Sequence, residues 1–111
     1  MIKASVKMGF APEKENEVLQ ILKSVAARTR AQTGCLNCSV YQDAEEEHTI
    51  IFEEEWENEK EMERHIRSRE YQKLLLIMEM AINPPEIKFN TVSNTSGIEI
   101  IEKAMIGDAK R

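Results

Sequence analysis

The stretch that decides the fold is residues 34–71, GCLNCSVYQDAEEEHTIIFEEEWENEKEMERHIRSREY. Apolar and polar residues alternate over residues 35–42 and again over residues 49–56, which is the pattern of half-buried strands. A polar, acidic connection joins the two segments, so we expect them to pair as a hairpin. After Asn58 the spacing becomes helical, with Asn58 as a predicted N-cap and Ser68 as the cap of a further helical stretch.

The flanking sequence completes a six-element pattern. Residues 2–10 alternate as a strand, and Pro12 suits the first turn of a helix that runs to about Gln32. Gly34 is expected to adopt a left-handed conformation after that helix. Residues 86–92 alternate again after Asn83-Pro84-Pro85, which predicts a fourth strand. The order β-α-β-β-α-β predicts an α+β, ferredoxin-like antiparallel sheet with helices on one face.

Composition limits the class of protein. The 111 residues are 41% hydrophobic and 32% charged, which is typical of one globular domain, expected over residues 1–93, with a tail over residues 94–111. The tail pattern at residues 98–106 suits either a strand or a helix, and Lys110-Arg111 are expected to be frayed.

A net charge of −5 disfavours nucleic-acid binding. The chain shows neither a membrane-length apolar run nor a secretory signal, so we expect a cytoplasmic protein.

The predicted helices cover one face of the sheet and leave the other face uncovered. This face carries Tyr41 and Ile51, and an exposed, partly apolar face favours association. We therefore expect a homodimer in which the two sheets face each other, with the tail over residues 94–111 packing on the partner subunit.

Residues 34–71 also hold the side chains best suited to proton chemistry. His65 offers an imidazole, the side chain used most often as a proton acceptor, and Trp56 offers an N–H donor and a large ring. Glu54 shares the face of Trp56 and could orient His65 or act as a base, while Tyr71 could donate a hydrogen bond. Each has a structural alternative: His65 bonded to a carbonyl, Trp56 and Tyr71 packed in the core, and Glu54 paired with a basic side chain.

Cys35 and Cys38 form a Cys-x-x-Cys pair. On a regular strand, residues three apart point to opposite faces. We therefore expect neither a zinc site nor a redox disulfide from this pair.

The ordered set of motifs resembles one family. Glu54-x-Trp56 is followed nine residues later by His65, and residues 1–92 are similar to the antibiotic biosynthesis monooxygenase domain. The other matching positions are Gly34-Cys35-Leu36, Val40-Tyr41-Gln42-Asp43, Ile50, Phe52, Ser68 and Tyr71. The resemblance implies a dimeric α+β barrel with a cleft between sheet and helices.

The resemblance also implies activities. Several family members oxygenate electron-rich aromatic substrates without metal or flavin, and other branches are quinol monooxygenases, haem-degrading oxygenases or isomerases. Haem is disfavoured here because residues 6–8 lack the asparagine, and Leu74 and Leu75 lack the histidine, of the haem-degrading branch. Cys38 replaces an aromatic residue common among relatives, which predicts a smaller pocket wall.

These considerations give a cofactor-independent monooxygenase as the leading hypothesis, with dioxygen and a small phenol- or quinol-like molecule as substrates. Neither a metal nor a cofactor is expected. The predicted catalytic residues are His65, Trp56, Glu54 and Tyr71. The predicted substrate-binding residues are Phe52, Cys38 and Leu75. The alternatives are a cofactor-free isomerase of a small oxidised metabolite and a non-enzymatic ligand-binding dimer.

Overall fold

A computed structural model describes residues 1–107 of the 111-residue chain, so the expectation about Lys110-Arg111 lies outside the described residues. The elements are β1 (Ile2–Gly9), α1 (Pro12–Arg30), β2 (Cys35–Gln42), β3 (Thr49–Trp56), α2 (Glu59–Ile66), α3 (Arg69–Glu79), β4 (Glu86–Thr91) and α4 (Glu99–Gly107). One antiparallel sheet has the strand order β2-β3-β1-β4. The α+β, ferredoxin-like fold is thus confirmed.

The core lies between the sheet and helices α1 and α3. Every second residue of β1 and β3 is buried on this side, as period-two alternation requires. Helix α1 contributes Val18, Leu22 and Val25 at helical spacing, and α3 contributes Leu74 and Ile77.

The turn from α1 into β2 depends on Gly34. This residue has a φ of +85°, a conformation that side chains with a Cβ rarely adopt. A Cβ at this position would also collide with the side chain of Glu61 on α2. Gly34 therefore allows α2 to lie close against the start of β2, which confirms the predicted left-handed glycine.

Strand β2 contains an irregularity that the sequence does not reveal. Cys35 lies opposite Trp56 and Cys38 lies opposite Glu54, with a register shift that skips Leu36. Such a bulge adds one residue and reverses the alternation beyond it. Both cysteines therefore face the helices, and the prediction that they point to opposite faces was wrong. Leu36 is left exposed.

The open face of the sheet is more polar than the dimer argument assumed. Tyr41 and Ile51 are the apolar side chains there among the described strand residues. Most positions are polar or charged, including Lys7, Glu53 and Lys88. The most exposed apolar side chains lie instead on and just before α4, at Leu76 of α3 and at Ile82.

The pattern of residues 98–106 suited either a strand or a helix. The structure forms a helix there, α4, over Glu99–Gly107. Its described residues are all exposed. Across residues 1–107, the structure contains no helix with the length and apolar character needed to cross a membrane.

Candidate active site

Glu54, Trp56 and His65 form one buried cluster between β3 and α2. Glu54 and Trp56 are two residues apart on β3, so both point towards the helices. The side chain of Asn58 caps α2 by accepting a hydrogen bond from the Glu61 N–H at 3.0 Å. The helix starts immediately after the strand and carries His65 back over the sheet. The three side chains are at most 3% exposed.

The carboxylate of Glu54 is the centre of this cluster. The indole Nε1–H of Trp56 donates to Glu54 Oε2 at 2.9 Å. His65 Nε2 lies 2.7 Å from the same oxygen. Despite this short distance, Nε2 has no well-aligned hydrogen-bond partner among residues 1–107, so the carboxylate lies off the N–H axis. One buried oxygen therefore accepts a hydrogen bond from the Trp56 indole and lies beside His65 Nε2 without a well-aligned bond to it.

Gln32 holds the other nitrogen of His65. Its Oε1 lies 2.9 Å from Nδ1, and an amide oxygen only accepts hydrogen bonds. In this orientation of the amide, Nδ1 donates to Gln32, and Nε2 is the nitrogen that lies beside Glu54. Sequence reasoning missed Gln32. It lies 33 residues before His65, and a polar residue after a helix gives no signal of this contact.

The rings of the cluster are in direct contact. Trp56 and His65 stack with centroids 4.6 Å apart, and Tyr71 meets the His65 ring edge-on at 5.3 Å. The expected cleft therefore does not lie between the indole and the imidazole. Burial and the nearby charge of Glu54 raise the pKa of Tyr71, which keeps its phenol protonated and able to donate a hydrogen bond.

The predicted substrate-binding residues are divided between the core and the surface. Phe52 and Cys38 are fully buried beside Glu54, and Cys38 lies opposite it on β2. Leu75 is 44% exposed, so it does not line the core beside Phe52 and Cys38. The α3 residues that face the core are instead Tyr71, Leu74, Ile77 and Met78.

Neither thiol has the character of a nucleophile. Burial, and then the negative charge of Glu54, raise the pKa of both Cys35 and Cys38 above the ordinary range. The bulge therefore brings both cysteines to the cluster as protonated thiols. Within residues 1–107, no three His, Cys, Asp or Glu side chains converge as metal ligands.

On the sheet, the neighbour of the cluster is strand β1. Ala4, a small residue, lies opposite Glu54 on one side and opposite Phe89 of edge strand β4 on the other. A separate cavity of about 480 Å³ lies between α1 and β2 and contains none of the four predicted catalytic residues. It is lined by Lys23, Ala26, Arg30, Ser39, Val40 and Tyr41.

Solved structures share this fold. A Deinococcus radiodurans protein named for antibiotic biosynthesis monooxygenases superposes with a TM-score of 0.80 at 20% identity, covering 88% of this chain and 98% of that one. A conserved Methanosarcina mazei protein has a TM-score of 0.74 at 30% identity, covering 80% and 89%. A variant of SnoaB, a cofactor-independent oxygenase of Streptomyces nogalater, has a TM-score of 0.71 at 10% identity, covering 85% and 94%.

Sequence comparison agrees with the structural likeness. An uncharacterised Synechocystis protein is 24% identical over 85 residues, which are 76% of this chain but only 58% of that protein, so the chain spans less than two thirds of this relative. The family model for antibiotic biosynthesis monooxygenase matches residues 1–75, which include Glu54, Trp56, His65 and Tyr71. The chain therefore belongs to the antibiotic biosynthesis monooxygenase family.

Proposed function

We propose that this protein is a cofactor-independent monooxygenase that acts on a small phenol- or quinol-like molecule. The observation that carries the proposal is the 2.7 Å contact between His65 Nε2 and Glu54 Oε2 in a fully buried site. A buried histidine held at Nδ1, with a carboxylate beside an unsaturated Nε2, has the parts of a general base. Family membership supports the reaction class.

The chemistry requires the substrate to supply electrons. Dioxygen is a spin triplet and accepts one electron at a time, and a phenolate gives an electron far more readily than a phenol. His65 Nε2 would take the phenolic proton, and the carboxylate of Glu54 would stabilise the imidazolium that forms. The phenol of Tyr71 would donate to the substrate oxygen.

The remaining steps balance without an added reductant. The phenolate passes an electron to dioxygen, and the two radicals combine to form a carbon–oxygen bond. The peroxide anion that results takes the proton held by His65 and becomes a hydroperoxide. The ring carbon that carries it then loses its hydrogen as a proton while the O–O bond breaks. One oxygen atom stays on the ring as a quinone carbonyl, and the other leaves as hydroxide, which combines with that proton to give water.

The substrate would approach from the side of Ala4, since the Trp56 and His65 rings are stacked on each other. Ala4 lies opposite Glu54 on β1, and its small side chain would obstruct a substrate least on the helix side of the sheet. Phe52 and Cys38 would form the apolar floor that excludes water. Leu75 would contribute at the outer rim.

The proposal is tested by oxygen uptake with a panel of phenols and quinols in metal-free buffer. We expect uptake and a quinone product with the wild type, and a large loss with His65→Ala. His48→Asn is the matched control because His48, the second histidine, pairs with Glu15 on the surface. If His65→Ala consumes oxygen as fast as the wild type, His65 is not the base.

Two alternatives use the same residues differently. A cofactor-free isomerase would need only the Glu54–His65 proton pair, so it would turn over without oxygen. A ligand-binding dimer without catalysis is favoured by the nearly complete burial of the cluster. Anaerobic turnover identifies the first, and ligand binding without product identifies the second.

Homodimerisation through the open sheet face is part of the proposal. Tyr41 and Ile51 would lie in the interface with the polar side chains around them. Size-exclusion chromatography with light scattering is expected to give about twice the chain mass of 12.8 kDa. A stable monomer at micromolar concentration would contradict it.

A further inference from the structure

The cavity of about 480 Å³ between α1 and β2 has the size of a ligand site. Small-molecule pockets commonly have volumes of roughly 300–1,000 Å³. Strand β2 is at one end of the sheet order, so no described strand pairs with its outer side. The lining residues are Lys23, Ala26 and Arg30 at helical spacing on α1, and Ser39, Val40 and Tyr41 on β2. We call this space the α1–β2 cavity.

Lys23 and Arg30 bring two positive charges to the cavity. Within residues 1–107 neither of them forms an ion pair, whereas Arg28 of the same helix pairs with Glu70. No Asp or Glu lies three or four residues from Lys23 or from Arg30, so α1 itself supplies no partner for them. In a chain with a net charge of −5, two such cations at one cavity favour an anionic ligand.

A hydrogen bond holds Arg30 in position. Its Nη1 donates to the carbonyl oxygen of Cys38 at 2.6 Å. This bond uses one of the five N–H donors of a guanidinium, and the planar fork of the group suits two parallel hydrogen bonds to a carboxylate or a phosphate. A side chain that is already held loses less conformational freedom when a ligand binds. Arg30 therefore combines a fixed position with remaining N–H donors.

The other walls of the cavity are mainly apolar. Ala26 is buried, Val40 packs against the core, and the ring of Tyr41 is about half exposed beside them. Apolar walls with a few charged groups suit a ligand that has an apolar body and an anionic head. Tyr41 is also expected in the dimer interface, so the argument depends on the α1 residues and on Val40, which lie on the helix side of the sheet.

We propose that the α1–β2 cavity binds a small aromatic carboxylate. The carboxylate accepts hydrogen bonds from Arg30 and lies beside the ammonium of Lys23, and the aromatic ring packs on Ala26 and Val40. A rigid ring buries apolar area without the entropy cost of fixing rotatable bonds. None of the four predicted catalytic residues lines this cavity, so the proposal does not depend on the proposed oxygenase reaction.

A nuclear magnetic resonance titration of the full chain, labelled with heavy nitrogen, tests the proposal without turnover. The probe is naphthoate, and naphthamide is its uncharged counterpart of similar shape. We expect naphthoate to cause saturable shifts of the backbone amides of Lys23, Arg30, Ser39 and Val40. We expect naphthamide to bind at least about tenfold more weakly, because it cannot form charge-assisted hydrogen bonds with Arg30.

Three variants separate the cavity from the general charge of the surface. Arg30→Gln is expected to weaken naphthoate binding by about tenfold or more, and Lys23→Gln by about three- to fivefold. Lys14→Gln, at an exposed position of α1 outside the cavity, is the control and should bind as the wild type does. Arg30→Gln also loses the bond to Cys38, so Lys23→Gln decides the test if Arg30→Gln does not fold.

Inorganic phosphate is the remaining probe, and we expect it to bind at least about tenfold more weakly than naphthoate because it gains nothing from the apolar walls. Equal affinity for phosphate would overturn the assignment of an aromatic ligand, and equal affinity for naphthamide would overturn recognition of the charge. Equal losses in Lys14→Gln and Lys23→Gln would show general attraction only. Shifts centred on Glu54 and His65, or no saturable shifts, would also overturn the proposal.

Discussion

Glu54 Oε2 lies 2.7 Å from His65 Nε2, and neither side chain is more than 3% exposed. A carboxylate that is removed from water is stabilised only by the groups that contact it. Here those groups are the imidazole and the indole N–H of Trp56. The arrangement joins two elements of the fold and also places a proton acceptor beside an anion.

Glu54→Gln tests the carboxylate charge. Glutamine keeps the shape and an oxygen for the Trp56 N–H, but it cannot stabilise an imidazolium as an anion does. We expect kcat to fall by about 100-fold, within the range for a lost acid–base contribution. Steady-state oxygen uptake measures this, with Glu53→Gln on the open sheet face as the control. Equal losses in both variants would argue against a specific role for Glu54.

Gln32→Leu tests whether Gln32 sets the tautomer of His65. The substitution removes the Oε1 acceptor, 2.9 Å from Nδ1, and leaves a buried donor unpaired at a cost of about 1–3 kcal/mol. We expect the imidazole nitrogen chemical shifts to show proton redistribution between Nδ1 and Nε2. Gln72→Leu, on an exposed position of α3, is the control. Unchanged imidazole shifts in Gln32→Leu would mean that Gln32 does not select the tautomer.

Gly34→Ala tests the close approach of α2 to the start of β2. A Cβ would be strained at a φ of +85° and would collide with Glu61, so we expect a loss of about 1–3 kcal/mol in unfolding free energy. Urea denaturation measures it. Gly9→Ala is the matched control because its Cβ meets open space. Similar losses at both positions would indicate a general effect of alanine rather than the predicted collision.

The contact between Glu15 and His48 predicts a pH dependence of stability. The hydrogen bond from His48, aided by one from Gln42, lowers the pKa of Glu15 below its ordinary value of 4.5. A lowered folded-state pKa gives stability that is present above the unfolded-state pKa and is lost as pH falls through the folded-state value. In thermal unfolding measured from neutral to acidic pH, the melting temperature of Glu15→Gln should fall less than that of the wild type. If the two melting temperatures fall in parallel, Glu15 does not contribute to the loss of stability in acid.

Local patterns predicted most of the fold. Alternation identified the four strands, and Asn58 and Ser68 act as the predicted helix caps. The same reasoning placed Glu54 and Trp56 on one face, with His65 on the helix that follows. Each of these relationships depends on residues close together in sequence, where spacing alone determines direction.

The remaining features depend on contacts that spacing does not encode. The bulge at Leu36 is a property of how β2 pairs with β3, and it reversed the expected direction of Cys35 relative to Cys38. Gln32 reaches His65 only after the chain has folded. The exposure of Leu75 depends on which arc of α3 meets the core. Strand alternation also gave no sign that the Trp56 and His65 rings would stack.

The central claim is that His65 accepts the proton of the substrate. The most direct measurement is the single-turnover rate of quinone formation by His65→Gln, compared with His48→Asn and the wild type, in metal-free, oxygen-saturated buffer. The account predicts a loss of about 100-fold or more for His65→Gln and a wild-type rate for His48→Asn. Quinone formation by His65→Gln at the wild-type rate would contradict it.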